Sequence, residues 1–196
     1  QFGYYWRDDK KSVWWPAGKP TNPAPSTFNT FFGVNPSREI PTTNAKGEPR
    51  DPEDVRSRND IIAAINTLFA EFDAKDFAGG KPAALAHVHG LSKPPSVIID
   101  SGGGYHCYWL LADPFIIATD ADRQRARALQ FSWVDSVGSD GGAKDLARIL
   151  RVPGTKNYKP EYGPNYPTVT IISADFARLY TVADLDMTTQ APTSAA

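Results

Sequence analysis

A glycine turn set between two strand-forming runs constrains this chain more than any other feature. Residues 96–100 read SVIID and residues 105–111 read YHCYWLL, with Ser101-Gly102-Gly103-Gly104 between them. β-Branched and aromatic side chains favour strands, and a short glycine link lets two strands fold back on one another. Pro94-Pro95 sets an extended entry, because the residue before a proline is pushed out of the helical region. The segment predicts an antiparallel hairpin. Alternation then puts His106 and Tyr108 on one face of its second arm and Tyr105, Cys107 and Trp109 on the other.

A second apolar run, residues 68–73, also alternates. Leu68, Ala70 and Phe72 share one face of a strand, and Phe69, Glu71 and Asp73 share the other. Residues 60–66 read as a helical turn or two, and residues 83–89 as a short helix. Thr119 is a good N-cap, followed by Asp120 and Asp122 in the first turn. Ala126, Leu129, Trp133, Val134 and Val137 then recur at helical spacing, and Gly138 closes the helix. Residues 31–34 and 168–172 read as short strands, and residues 175–180 as the start of a helix. In the first 60 residues prolines alternate with aromatics such as Tyr4, Trp14 and Phe31, which predicts a packed collar of loops and short strands. Helices and strands mix without a regular βαβ rhythm, so the expected class is α+β with a mainly antiparallel sheet.

At 196 residues the chain has the size of one domain. The expected division is a catalytic domain over 1–187 and a small, polar, linker-like tail over 188–196. Within the domain, a proline- and aromatic-rich part spans 1–60 and a motif-bearing core spans 61–187. Lys and Arg (21) nearly cancel Asp and Glu (22), so any polyanion site must be a local patch. The single cysteine, Cys107, excludes a disulfide framework and a multi-cysteine metal site. No apolar run approaches the roughly 18 residues of a membrane span, and the aromatic, charged start does not read as a signal peptide. A cytoplasmic protein is expected.

Chemistry concentrates in three places. Glu71 and Asp73 project from one face of a strand and are a pair suited to hard divalent cations. Asp51/Glu53, Asp120/Asp122 and Asp184/Asp186 have the same spacing, but only Glu71 and Asp73 lie inside an apolar strand, where charges need a partner. The glycine turn lets backbone approach a ligand closely, its N–H groups suit phosphate oxygens, and His106 stands beside it. In the third segment Arg148, Arg151, Lys156 and Lys159 fall within twelve residues around Pro153-Gly154-Thr155, a candidate phosphate patch. Separately, His87-Val88-His89 has the spacing of paired metal ligands on a strand, as nicking nucleases use.

Taken in order, LFAEFDAKDF (68–77), PPSVIIDSGGGYHCYW (94–109) and ARILRVPGTKN (147–157) resemble the three motifs of the archaeo-eukaryotic primase superfamily. They are most similar to those of primase-polymerase domains from phage and plasmid replication proteins. The resemblance covers roughly residues 28–180, and it implies a fold with an RRM-like catalytic half. It implies that Glu71 and Asp73 hold catalytic metal, Glu71 standing where many relatives have Asp. Ser101, Gly103 and His106 would bind the incoming nucleotide's triphosphate, with Arg148, Arg151, Lys156 and Asn157 downstream. In related primase-polymerases the third metal carboxylate precedes the arginine pair by about eight positions, so the resemblance implies Asp140 for that role, with Asp145 as its rival. The catalytic set is then Glu71, Asp73, His106 and Asp140.

The activity so implied is template-directed nucleotidyl transfer from dNTPs or NTPs on single-stranded DNA, with two Mg²⁺ or Mn²⁺ ions. The partners so implied are template, primer and nucleotide, and a helicase domain in the same polypeptide. Two other readings stand beside it. One is a nicking endonuclease built on His87 and His89. The other is a catalytically idle single-strand-binding module whose N-terminal aromatics stack on bases.

Overall fold

Two four-stranded antiparallel sheets meet across an apolar cluster in the computed structural model, which describes residues 1–139, 142 and 144–187. The first sheet has the order β2-β1-β3-β7, with β1 at Phe2–Arg7, β2 at Ser12–Pro16, β3 at Thr30–Gly33 and β7 at Ile149–Arg151. The aromatics of the N-terminal part build it. Tyr4 lies opposite Trp14 in the register and stacks on it at 4.4 Å, a cross-strand pair of the kind that holds two-stranded ribbons together.

The second sheet has the order β4-β6-β5-β8. Its strands are β4 at Ala64–Asp73, β5 at Val97–Asp100, β6 at Gly104–Ile116 and β8 at Thr170–Ala174. The hairpin expected around the glycine turn is present as β5 and β6, with Val97 opposite Tyr108 and Asp100 opposite Tyr105. Helices α1 (Gly80–His89) and α2 (Asp120–Ser136) follow β4 and β6, and a short α3 spans Val182–Leu185. Thr119 caps α2 through the amide of Asp122, which answers with its own carboxylate. β4, α1, β5, β6, α2 and β8 give the β-α-β-β-α-β succession of an RRM-like half; β7 leaves it to join the first sheet.

The two faces of the second sheet have separate tasks. Leu68, Ala70, Phe72, Cys107 and Trp109 form the main core with Ala84 and Val88 of α1 and Ala126, Leu129 and Trp133 of α2. On the other face Phe69, Val97, Ile99 and Tyr108 pack with Leu150 and Phe32 of the first sheet. Glu71 and Asp73 continue the face of Phe69, and His106 that of Tyr108. The charged groups therefore stand at one end of the inter-sheet seam.

Three sequence expectations are corrected. Residues 60–66 hold only a 3-10 turn at Asn59–Ile61 before β4 begins. Ala64 and Ile65 pair instead with Ile116 and Phe115 at the far end of a longer β6, so tertiary pairing overrides a weak helical pattern. Residues 175–180 form a turn, because their backbone is committed to the sheet: Asp175 N–H donates to the Ser96 carbonyl and Tyr180 N–H to that of Leu110. Finally, His87 and His89 lie on α1, where a separation of two turns side chains about 200° apart. The His87 Nε2 sits 2.8 Å from the Val137 carbonyl, with its ring between Phe72 and Phe77. They are not a ligand pair on a strand. No helix among the described residues is long and apolar enough to cross a membrane.

Candidate active site

Three stretches far apart in the chain line one cleft of about 740 Å³ at the end of the inter-sheet seam. The C-terminal end of β4 supplies Glu71 and Asp73, the β5–β6 turn supplies Ser101, Gly102 and Gly103, and the start of β6 supplies His106. β7 and its flanks supply Arg148, Arg151 and Asn157. Register explains the first two: Glu71 lies opposite His106, and Asp73 opposite Gly104.

Glu71 is half-buried and held by Arg148, whose Nε donates to Oε1 at 2.8 Å and whose Nη2 donates to the same oxygen. The other carboxylate oxygen faces the His106 Nε2 at 3.7 Å. Asp73 is more open, with the Lys75 ammonium 3.2 Å away. His106 is only 6% exposed. Burial pushes its pKa down to about 3, with the Arg151 and Arg148 charges adding to the effect. The imidazole is therefore neutral at neutral pH, and its Nδ1 is buried without a hydrogen-bond partner among the described residues.

The glycine turn is tightly built. Ser101 N–H and Oγ–H both donate to the Gly104 carbonyl, at 2.9 and 3.1 Å, and Gly102 N–H donates to Asp100 Oδ1 at 2.8 Å. Gly102 has a φ of +93°, a region that side-chain-bearing residues avoid. A Cβ on Gly104 would run into the Phe72 carbonyl, so only glycine lets β6 lie this close to β4. Asn157, 2% exposed, donates from Nδ2 to the Ser101 carbonyl at 2.8 Å and pins the turn from the third segment. The amides of Ser101 and Gly102 are thus engaged within the turn, and side-chain cations add to the positive field of the cleft.

Those cations include some that the sequence reading did not single out. Lys75 follows the carboxylates, and Lys81, in the first turn of α1, sits 2.7 Å from Asp100 Oδ1. Lys159, Tyr162 and Phe31 also line the cleft. Both lysines after β4 had a signal, since each closely follows the acidic pair; Phe31 and Tyr162 had none. Arg151 donates to the Asn29 side chain at 3.0 Å and lies over the Phe31 ring at 4.9 Å. Lys156 does not line the cleft; it bridges to Thr168. Asp145 lies 3.6 Å from the Arg148 Nη1, three residues earlier in the chain. Asp140, selected as third carboxylate, lies outside the described residues.

Two carboxylates on one strand face are the oxygen donors that Mg²⁺ or Mn²⁺ prefers, and in that respect Glu71 and Asp73 fit such an ion. Among the described residues no group of three or more His, Cys, Asp or Glu is placed to hold a metal. Arg148 and Lys75 occupy the two carboxylates instead.

No protein-family profile and no curated protein sequence matches this chain. Among solved structures, the chain is similar to the AEP domain of the cyanophage S-2L primase-polymerase (PrimPol), with a TM-score of 0.58 and 18% identity. That match covers 93% of this chain and 86% of the other. Primase RepB′ matches at a TM-score of 0.48 and 12% identity, over 88% of this chain and 51% of its own, too loosely to carry an argument. The chain has an α+β fold of the archaeo-eukaryotic primase-polymerase kind.

Proposed function

We propose that this chain is a primase-polymerase domain that transfers nucleotidyl groups from dNTPs or NTPs along a single-stranded DNA template, in phage or plasmid replication. One observation carries the reading: the three resemblance-bearing segments converge on one cleft, with carboxylates and cations facing each other across it. That juxtaposition suits a reaction in which a metal-bound polyphosphate must be held while a 3′-hydroxyl attacks. Divalent cations held by Glu71 and Asp73, with Asp140 as the third ligand, would lower the hydroxyl's pKa and balance the leaving pyrophosphate. Arg148 and Arg151 would neutralise polyphosphate charge, which is worth most in a partly dehydrated cleft. Asn157 and Ser101 would hold the glycine turn in shape. His106, neutral and buried, would present one ring N–H as a hydrogen-bond donor.

A primer-extension assay on single-stranded DNA tests the reading. Glu71→Ala and Asp73→Ala should each remove extension while the circular dichroism spectrum is kept. Asp140→Ala should remove it too, whereas Asp145→Ala, which deletes only an ion-pair partner of Arg148, should leave a substantial fraction. Full activity in the Glu71 and Asp73 variants would sink the assignment. Binding of single-stranded DNA without any extension would favour the idle binding module instead.

A further inference from the structure

The glycine turn carries an acid at its base, which is an odd neighbour for a polyphosphate. Asp100 cannot easily be dispensed with, because its Oδ1 accepts the Gly102 N–H at 2.8 Å and so holds the turn. Its charge is answered by Lys81, whose ammonium lies 2.7 Å from the same oxygen and 3.4 Å from the Gly102 carbonyl. The Tyr105 ring, 5.6 Å away, flanks the ammonium from below. Lys81 is delivered by α1, whose Ala84 and Val88 are fully buried in the main core, so the lysine stem starts from a rigid element.

We propose that Lys81 is a phosphate-binding residue of the cleft, gripping the incoming nucleotide's polyphosphate at the glycine-turn end, and that Asp100 is its resting partner. The inference rests on the nucleotidyltransferase reading and extends it to a residue outside the three motifs. Three facts carry it. The turn's own amides at Ser101 and Gly102 are already engaged, so a side-chain cation adds attraction that these two amides do not supply. An ammonium has three donors, and Asp100 and Gly102 take two, leaving one for a phosphate oxygen. The Lys81 side chain remains 33% exposed and lines the cleft. A flexible lysine can swing from carboxylate to phosphate without moving the backbone.

The experiment is equilibrium binding of a fluorescent deoxynucleoside triphosphate and the matching monophosphate to the whole chain in Mg²⁺. Lys81→Met should weaken the triphosphate about tenfold and the monophosphate less than twofold. Lys81→Arg, which keeps the charge, should stay within about threefold of the parent for both. Equal weakening of the two ligands by Lys81→Met, or none, overturns the role, since a merely structural lysine would not tell a triphosphate from a monophosphate. Should Lys81→Met not fold, Lys81→Gln is read by the same contrast. If the parent chain binds neither nucleotide, it is the nucleotidyltransferase reading that fails, a result separable from a parent that binds well and a variant that binds equally well.

Discussion

Arg148 donates from both Nε and Nη2 to one oxygen of Glu71, Oε1. The same side chain also reaches the Gly142 carbonyl at 3.2 Å and stands 3.6 Å from Asp145. Glu71, proposed above as a metal-holding carboxylate, is thus paired with a cation of the protein's own.

Arg148 and a divalent metal should compete for Glu71. Arg148→Gln should tighten Mn²⁺ binding to the nucleotide-free chain by roughly five- to tenfold, a fraction of the Coulomb energy of such a pair at an effective dielectric near 20. The same substitution should weaken triphosphate binding. Titration followed by the free-Mn²⁺ paramagnetic resonance signal reads the first effect. An unchanged or weaker Mn²⁺ affinity would mean that the ion pair does not guard the site.

The two carboxylates should differ in their structural worth. Glu71→Ala strands the Arg148 guanidinium in a half-buried position, which typically costs about 1–3 kcal/mol when a charged hydrogen bond is lost. Asp73→Ala removes an open pair with Lys75, worth at most about 1 kcal/mol. Urea unfolding of both variants decides the ranking. A larger loss for Asp73→Ala would contradict the burial and pairing described for β4.

The glycine turn should depend on a residue fifty-six positions away. Asn157→Ala leaves the buried Ser101 carbonyl without its amide donor and should destabilise the fold by about 1–3 kcal/mol. Faster hydrogen exchange at residues 101–104 than in the parent would locate the damage. Gly104→Ala should be worse, because its methyl meets main chain of β4 that cannot step aside.

His106 makes stability pH-dependent in a defined direction. Its folded pKa is depressed to about 3 by burial, helped by Arg151 and Arg148, so between that value and the ordinary histidine value near 6.5 the unfolded chain binds the extra proton. Stability from this group is present above about pH 6.5 and is lost as pH falls below it, by up to about 1.4 kcal/mol per pH unit. Unfolding free energies of the parent and His106→Gln, measured at pH 7 and pH 5, should converge toward acid. A constant difference would show that the imidazole is not held neutral by the fold.

Much of the local architecture was legible in the amino-acid order. The β5–β6 hairpin followed from β-branched and aromatic runs around three glycines, and α2 from the Thr119 cap and its apolar spacing, because those preferences act within a few residues. Strand alternation put Glu71 and Asp73 on one face of β4 and His106 with Tyr108 on one face of β6, but only the β4–β6 register set Glu71 opposite His106. Other features depended on partners distant in the chain. Ala64 and Ile65 became strand only because the far end of β6 offered hydrogen bonds, and residues 175–180 lost a helix to β5 and β6 in the same way. His87 and His89 kept a metal-like spacing in sequence, but α1 turned them apart. Phe31 and Tyr162 join the cleft through long-range placement, which no local pattern encodes. Local preference is a matter of neighbouring dihedrals and side chains, whereas the cleft exists only where two sheets, closed by long-range pairing, leave their charged ends facing each other.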